Sequence, residues 1–284
     1  MNPLRLEHAT LTAWPAAVRE SRFGWEFCAT RGCSGRVNSI WPLAWTRESA
    51  IELAIAHAVA WCEQNGIDPC FRLSDGLVAP VDLPRFLKIA GYAPQNETLV
   101  MTLPLQREGS LQQAQGSARF DGAGPPVRLP EPAEDGACAD IELVETPDET
   151  IWSPLRAAAP SDADFAERQD IVARIAVPRA FARASLDGKP AAIGMGVLTP
   201  DPEGNLLGLY LMRTAPDARR RGLAREIVAA LLDWGAARGA RCAYLQVEKH
   251  NTAAVTLYER AGFTTAYAYW YWRRPSPLVG EGGA

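Results

Sequence analysis

The run Arg219-Arg220-Arg221-Gly222-Leu223-Ala224 sets three guanidinium groups and a glycine between two ordered stretches. Before it, Leu206 to Met212 is nearly all apolar and reads as a strand; after it, Ile227, Leu231 and Trp234 recur at helical spacing. A strand, a basic turn and a helix start make a site for an anion. The first backbone N–H groups of a helix have no intrahelical acceptor, and the positive end of the helix dipole favours negative charge at the same point. Gly222 has no Cβ to collide with an incoming phosphate. A solvated surface turn rich in arginine has the same composition, so the hexapeptide alone leaves both readings open.

The residues downstream of the turn narrow the choice. Gly239 ends the helix, Cys242 to Val247 reads as a second strand, Asn251 comes next, and a short helix closes on Leu257-Tyr258-Glu259-Arg260-Ala261-Gly262-Phe263. This ordered pattern resembles the GNAT superfamily of acyl-CoA-dependent N-acetyltransferases. The family signature, Arg or Gln, two residues, Gly, one residue, then Gly or Ala, is filled by Arg219, Gly222 and Ala224. Asn251 and Tyr258 match the Asn and Tyr that family members carry further on. The resemblance spans roughly residues 138–275.

The resemblance implies roles. Acetyl-CoA would be the acyl donor and no metal is implied. The diphosphate would lie on the backbone of Arg219, Arg220, Arg221, Gly222, Leu223 and Ala224. The pantetheine arm, a chain of amides, would pair with backbone groups of Met212, Arg213 and Thr214. Asn251 would touch the cofactor arm, with a structural turn role as the alternative.

Amide formation from a thioester needs a neutral amine, a donor to the developing oxyanion and a proton for the leaving thiolate. Tyr258 is the candidate general acid; a core tyrosine on an amphipathic helix is the competing reading. Glu248 is the candidate base, at the end of its strand on the face shared by Gln246. A solvated carboxylate beside Lys249 is equally compatible, and His250, a lone histidine beside Asn251, reads more readily as a loop residue than as the base.

The 284 residues carry a formal net charge of −4, which argues against a general nucleic-acid binder. Six cysteines at 28, 33, 62, 70, 138 and 242 form no CxxC pair, and His8, His57 and His250 are the only histidines, so reduced thiols are expected rather than zinc or disulfides. With no apolar run near the ~20 residues of a membrane span and no leader-like start, a cytoplasmic protein without membrane contact is expected, as monomer or homodimer. The aromatic run Tyr269-Trp270-Tyr271-Trp272 reads as a strand.

Residues 106–137 turn to Gln, Gly, Ser, Pro and acidic types and read as a linker between an N-terminal domain, 1–105, and a catalytic domain, 138–284. The two blocks repeat: Trp61 and Gly66 match Trp234 and Gly239, while Ala90-Gly91-Tyr92 and Pro104 match Ala261-Gly262-Phe263 and Pro275. Residues 38–104 therefore read as strand, helix, strand, helix, strand. The turn matching 219–224 is Thr46 to Ile51, without glycine and with Glu48; Leu87 stands opposite Tyr258 and Pro80 opposite Asn251. The N-terminal half thus resembles a degenerate GNAT-like domain that packs on the other and walls the acceptor site.

In the C-terminal half, Ile141 to Val144 reads as a strand, Ala163 to Ile175 as a helix, and Arg179 to Ser185 with Ala191 to Thr199 as a hairpin around Asp187-Gly188-Lys189. The fold class is α/β (α+β): two GNAT-like domains, each a mixed, mostly antiparallel sheet flanked by helices. The expected function is acetyl transfer to a primary amine of a small molecule. A non-catalytic acyl-CoA sensor and a protein or peptide acetyltransferase are the alternatives.

Overall fold

The computed structural model describes residues 2–105 and 139–275, so the stretch read as a linker lies outside the described residues. The first half runs α1 (Pro3–Ala13), β1 (Val18–Arg22), β2 (Trp25–Ala29), a 3-10 turn (Gly35–Val37), β3 (Ser39–Trp41), α2 (Ile51–Gln64), β4 (Cys70–Ser74), α3 (Leu83–Ile89) and β5 (Ala93–Pro104). The second runs β6 (Asp140–Val144), α4 (Glu149–Ala157), α5 (Asp162–Arg174), β7 (Arg179–Leu186), β8 (Lys189–Thr199), β9 (Asn205–Thr214), a 3-10 turn (Pro216–Ala218), α6 (Leu223–Ala236), β10 (Ala240–Glu248), α7 (Thr252–Arg260) and β11 (Thr264–Arg273).

Local chemistry accounts for many boundaries. The β7–β8 hairpin turns at Asp187 (φ 51°) and Gly188 (φ 73°), a left-handed pair that suits the twist of its strands. Ser161 caps α5 by accepting from the Asp164 N–H at 3.2 Å, and Asp162 and Asp164 fill the first turn. α4 is absent from the sequence reading. Asp148 caps it and Ile151 and Leu155 bury one face, but Pro154 inside it masks the helical signal.

One sheet carries all eleven strands, in the order β1-β2-β3-β4-β11-β5-β10-β9-β8-β7-β6. The two halves read from sequence as separate sheets join because each gives its last strand away. β5 of the first half pairs antiparallel with β10 of the second, and β11 of the second pairs with β4 of the first. β5 and β11 pair with each other at the centre. In each half a parallel pair, β3–β4 or β9–β10, flanks this exchange.

The repeat is visible residue by residue. β5 and β11 start 171 residues apart, at Ala93 and Thr264. Arg47 and Arg220, 173 residues apart, hold the same left-handed backbone, at φ 60° and φ 61°.

The sheet has helices on both faces. β10 sends Tyr244 into the cluster of α1, α4 and α5, and Leu245 and Val247 into that of α6 and α7. β11 likewise sends Tyr267 and Tyr269 toward α1 and Trp272 toward α2 and α3. α1 is locked over the sheet by an ion pair between Glu7 and Arg72, both fully shielded from solvent. The carboxylate also accepts from Ser74 at 2.9 Å and Tyr267 at 2.7 Å, and the guanidinium lies 3.7 Å from the ring centres of both Trp41 and Tyr269. Such multiple donors and ring faces offset the cost of burying two charges. No helix among the described residues is long and apolar enough to cross a membrane.

Candidate active site

β9 and β10 run parallel and pair from Asn205 and Ala240 only as far as Leu209 and Leu245. Beyond that point they part. β9 continues to Thr214 bonded to β8 alone, with Ala192 opposite Thr214 and Ile193 opposite Arg213. β10 continues to Glu248 bonded to β5 alone. The divergence begins at a bulge: Leu211 has φ 54°, and the β8–β9 register shifts there. The β10-facing edge of Met212, Arg213 and Thr214 is left without a strand partner, and the Met212 carbonyl accepts instead from the Arg213 Nη1 at 2.8 Å. An opening lined by unpaired peptide groups is the geometry that receives a chain of amides.

The basic turn lies past β9, where the 3-10 turn hands the chain to α6. Gly222 is the N-cap of α6 at φ 83° and contributes no capping side chain. The backbone N–H groups of residues 219–224 donate to no internal acceptor among the described residues, and the space where a Gly222 side chain would project is empty. The side chains of Arg219, Arg220 and Arg221 are exposed and make no ion pair among the described residues. Free N–H donors, the positive end of the α6 dipole and three exposed guanidinium groups thus belong to one short turn.

Tyr258 sits on α7, which follows β10 as the other wall of the opening. Its ring is 6% exposed and meets Phe263 edge-on at 6.0 Å. Its hydroxyl has no hydrogen-bond partner among the described residues. Burial pushes the phenol up to about 12 while the nearby charges of Arg213 and Arg36 pull the other way, so it carries its proton at neutral pH.

The remaining sequence candidates fall at the rim. Asn251 is the N-cap of α7; its Oδ1 accepts from the Ala254 N–H at 3.2 Å, which leaves the amide NH2 to other partners. Glu248, the candidate base, faces His250 at 3.2 Å, and both are more than half exposed.

On the α1 face, the sequence reading missed most of the wall. Trp14 stacks on Tyr210 at 5.3 Å and 4° between planes, and the Tyr210 and Tyr244 hydroxyls meet at 2.9 Å. Burial raises the Tyr210 phenol to about 12. Gln246 bridges Thr10 of α1, at 3.0 Å, and the Tyr269 hydroxyl, at 3.1 Å.

Above these residues hangs the loop 31–38 of the N-terminal half, held by one carboxylate. Glu167 of α5, with no solvent exposure, accepts from the N–H groups of Arg31 at 2.8 Å, Cys33 at 3.3 Å and Ser34 at 2.6 Å, and from Asn38 Nδ2 at 2.8 Å. The loop carries Arg36, half-buried, with its guanidinium carbon 6.0 Å from the centre of the Tyr210 ring. The only sequence signal for this loop was its Gly-x-x-Gly spacing at Gly32 and Gly35, in a half read as a degenerate domain that walls the acceptor site.

Two parallel strands that part at mid-length, with a glycine turn opening a helix after the first and a tyrosine-bearing helix after the second, define a GNAT acetyltransferase. A sequence profile described as "Probable histone acetyltransferase Rv0428c C-terminal" matches residues 4–272, and the chain belongs to that family. It is 29% identical over 267 residues to the "Probable histone acetyltransferase Rv0428c" of Mycobacterium tuberculosis, covering 91% of this chain and 69% of that one. Among solved structures, a "GCN5-related N-acetyltransferase from Kribbella flavida" superposes with a TM-score of 0.67 over 97% of this chain and 96% of its own, at 13% identity. A "Tandem GNAT protein from the clavulanic acid biosynthesis pathway" does so with 0.59 over 94% and 86%, at 14%. The chain is an N-acetyltransferase of tandem GNAT architecture.

Proposed function

We propose that the chain transfers the acetyl group of acetyl-CoA to a primary amine of a small molecule, by direct attack through a tetrahedral intermediate. The observation that carries this reading is the opening between β9 and β10, with unpaired peptide groups on one wall and the unpartnered Tyr258 hydroxyl on the other.

The diphosphate rests on residues 219–224, and the pantetheine arm takes the place of a strand beside Met212, Arg213 and Thr214, displacing the Arg213 side chain from the Met212 carbonyl. Asn251 offers its NH2 to the arm. The amine nitrogen bonds to the thioester carbon, and unpaired N–H groups at the end of β9 receive the developing oxyanion. As the carbon–sulfur bond breaks, Tyr258 gives its proton to the thiolate; a phenol raised to about 12 is fully protonated at neutral pH and so stands in its donor form as charge develops on the sulfur. Glu248, with His250 against it, takes the proton released by the amine. The acetylated amine and CoA leave, and Tyr258 recovers its proton from water.

The N-terminal domain, residues 1–105, serves as a wall. It keeps the left-handed turn at Arg47 but has Ser49 and Ala50 where α6 has its glycine cap, Leu87 where α7 has Tyr258 and Pro80 where it has Asn251. A protein amine is the second reading, favoured by the description of the family. The test is CoA-thiol release from acetyl-CoA over a panel of small amines and lysine peptides, with Gly222→Val as control. A bulky residue at φ 83° distorts the cap and fills the phosphate space, so acetyl-CoA binding should weaken at least tenfold. Tight acetyl-CoA binding with no amine-dependent release would refute the transfer.

A further inference from the structure

Arg36 is a half-buried cation with no carboxylate within ion-pair distance among the described residues, whereas Arg72, another arginine set among these aromatic side chains, is matched by Glu7. The carboxylate that meets its loop, Glu167, is spent on the backbone of that loop and on Asn38. Three tyrosines interact with the guanidinium electrostatically instead, Tyr210, Tyr269 and Tyr271, and the Tyr269 hydroxyl is also its hydrogen-bond partner. The backbone beneath is pressed on the last of them, since a Cβ on Gly35 would lie 2.7 Å from the Tyr271 ring. Ring faces and neutral phenols shelter the guanidinium without supplying a counter-charge.

Its position says what it is not for. Tyr210 belongs to the packing cluster of α1, α4 and α5, whereas the phosphate turn opens α6, which packs on the opposite face of the sheet. Arg36 therefore does not serve the diphosphate. Tyr210 also lies one residue before the bulge where β9 leaves β10, so Arg36 overlooks the thioester end of the opening from the acceptor side. Its charge and that of Arg213 are both felt at Tyr258. The carboxylate of Asp164 is already held by Arg168 at 2.6 Å. An acceptor mouth bearing two cations repels a lysine-rich segment and attracts an anion. A planar guanidinium on a loop pinned by four hydrogen bonds suits a carboxylate, which it grips with two parallel N–H bonds.

We propose that Arg36 binds a carboxylate carried by the acceptor, so that the substrate is a primary amine of the amino-acid class. This rests on the acetyl-transfer reading for the amine but not for the carboxylate, and the test separates the two. With CoA present, binding of the standard amino acids and short ω-amino acids is monitored by quenching of tryptophan fluorescence, each against its own carboxamide and against a lysine-rich peptide. Thiol release from acetyl-CoA is measured on the same set.

At least one amino acid should bind about tenfold or more tightly than its carboxamide. That preference should vanish in Arg36→Gln and shrink in Arg36→Lys, which keeps charge without the fork, with the acetyl-CoA Kd unchanged in both. Equal binding of acid and amide, retention of the preference in Arg36→Gln, tighter binding of the basic peptide, or binding of no amino acid would each overturn the proposal. A carboxylate preference without thiol release would keep it and refute acetyl transfer to amino acids instead.

Discussion

Glu167 offers the sharpest perturbation of how the two halves cooperate, because one buried carboxylate of the second half holds a loop of the first. Glu167→Ala removes the acceptor for three backbone N–H groups and one side-chain amide. A hydrogen bond to a charged group contributes about 1.5–3 kcal/mol, and a buried donor left unpaired costs about 1–3 kcal/mol. Arg31 and Cys33 are exposed and regain water, so the cost concentrates on half-buried Ser34 and buried Asn38. The loss should be about 3–5 kcal/mol.

Glu167→Gln keeps the shape and one oxygen. Its NH2 then faces either the Ser34 N–H or the Arg31 and Asn38 donors, and the cost should be about 1.5–3 kcal/mol. Urea unfolding with an unchanged m-value reads both numbers. In the Gln variant, which stays folded, KM for the acceptor should rise while the Kd of acetyl-CoA holds. An alanine variant within about 1 kcal/mol of the native protein, or acetyl-CoA affinity falling together with acceptor affinity, would refute the clamp.

Two further outcomes are expected from strand exchange and from buried phenols. Residues 138–284 expressed alone should aggregate, because β10 and β11 lose β5 from between them, whereas co-expression with residues 1–105 should restore a soluble complex detectable by gel filtration; a soluble, monomeric C-terminal half would contradict the exchange. Tyr210 and Tyr258, held at about 12 when folded, ionise near 10 in the unfolded chain, so their contribution is intact below about pH 10 and is lost as pH rises through about 12, each at about 1.4 kcal/mol per pH unit. Buried Cys28 and Cys70, also raised to about 12, start that decline nearer pH 9. Urea midpoints that stay level from pH 9 to 12 would refute the burial argument.

The candidate site was legible where its residues lie along one stretch of chain. Arg219 to Ala224, Asn251 and Tyr258 stand at fixed spacings along one strand–helix–strand–helix path, so one stretch of chain displays them together. The same holds for the repeat, whose glycine-marked helix ends at Gly66 and Gly239 recur at a constant interval. The residues that escaped notice depend on long-range contact. Arg36, Glu167 and Trp14 have ordinary neighbours in sequence, and only the packing of one half on the other brings them to the same opening. The single sheet was hidden for a related reason: β5 and β11 each look like the last strand of their own half, and nothing in a strand's sequence names the partner it will pair with. Asn251 shows the opposite case, a residue singled out for the cofactor that also has a structural post as a helix cap.

In the proposed mechanism Tyr258 delivers the proton to the leaving thiolate in the opening between β9 and β10. Its most direct test is Tyr258→Phe, with kcat from CoA-thiol release and the Kd of acetyl-CoA from calorimetry on the same preparation. Proton delivery by Tyr258 requires a kcat lower by about 10²–10⁴ in the variant, with the Kd within about twofold of the native value. An unchanged kcat, or a Kd that weakens as much as turnover falls, would contradict it.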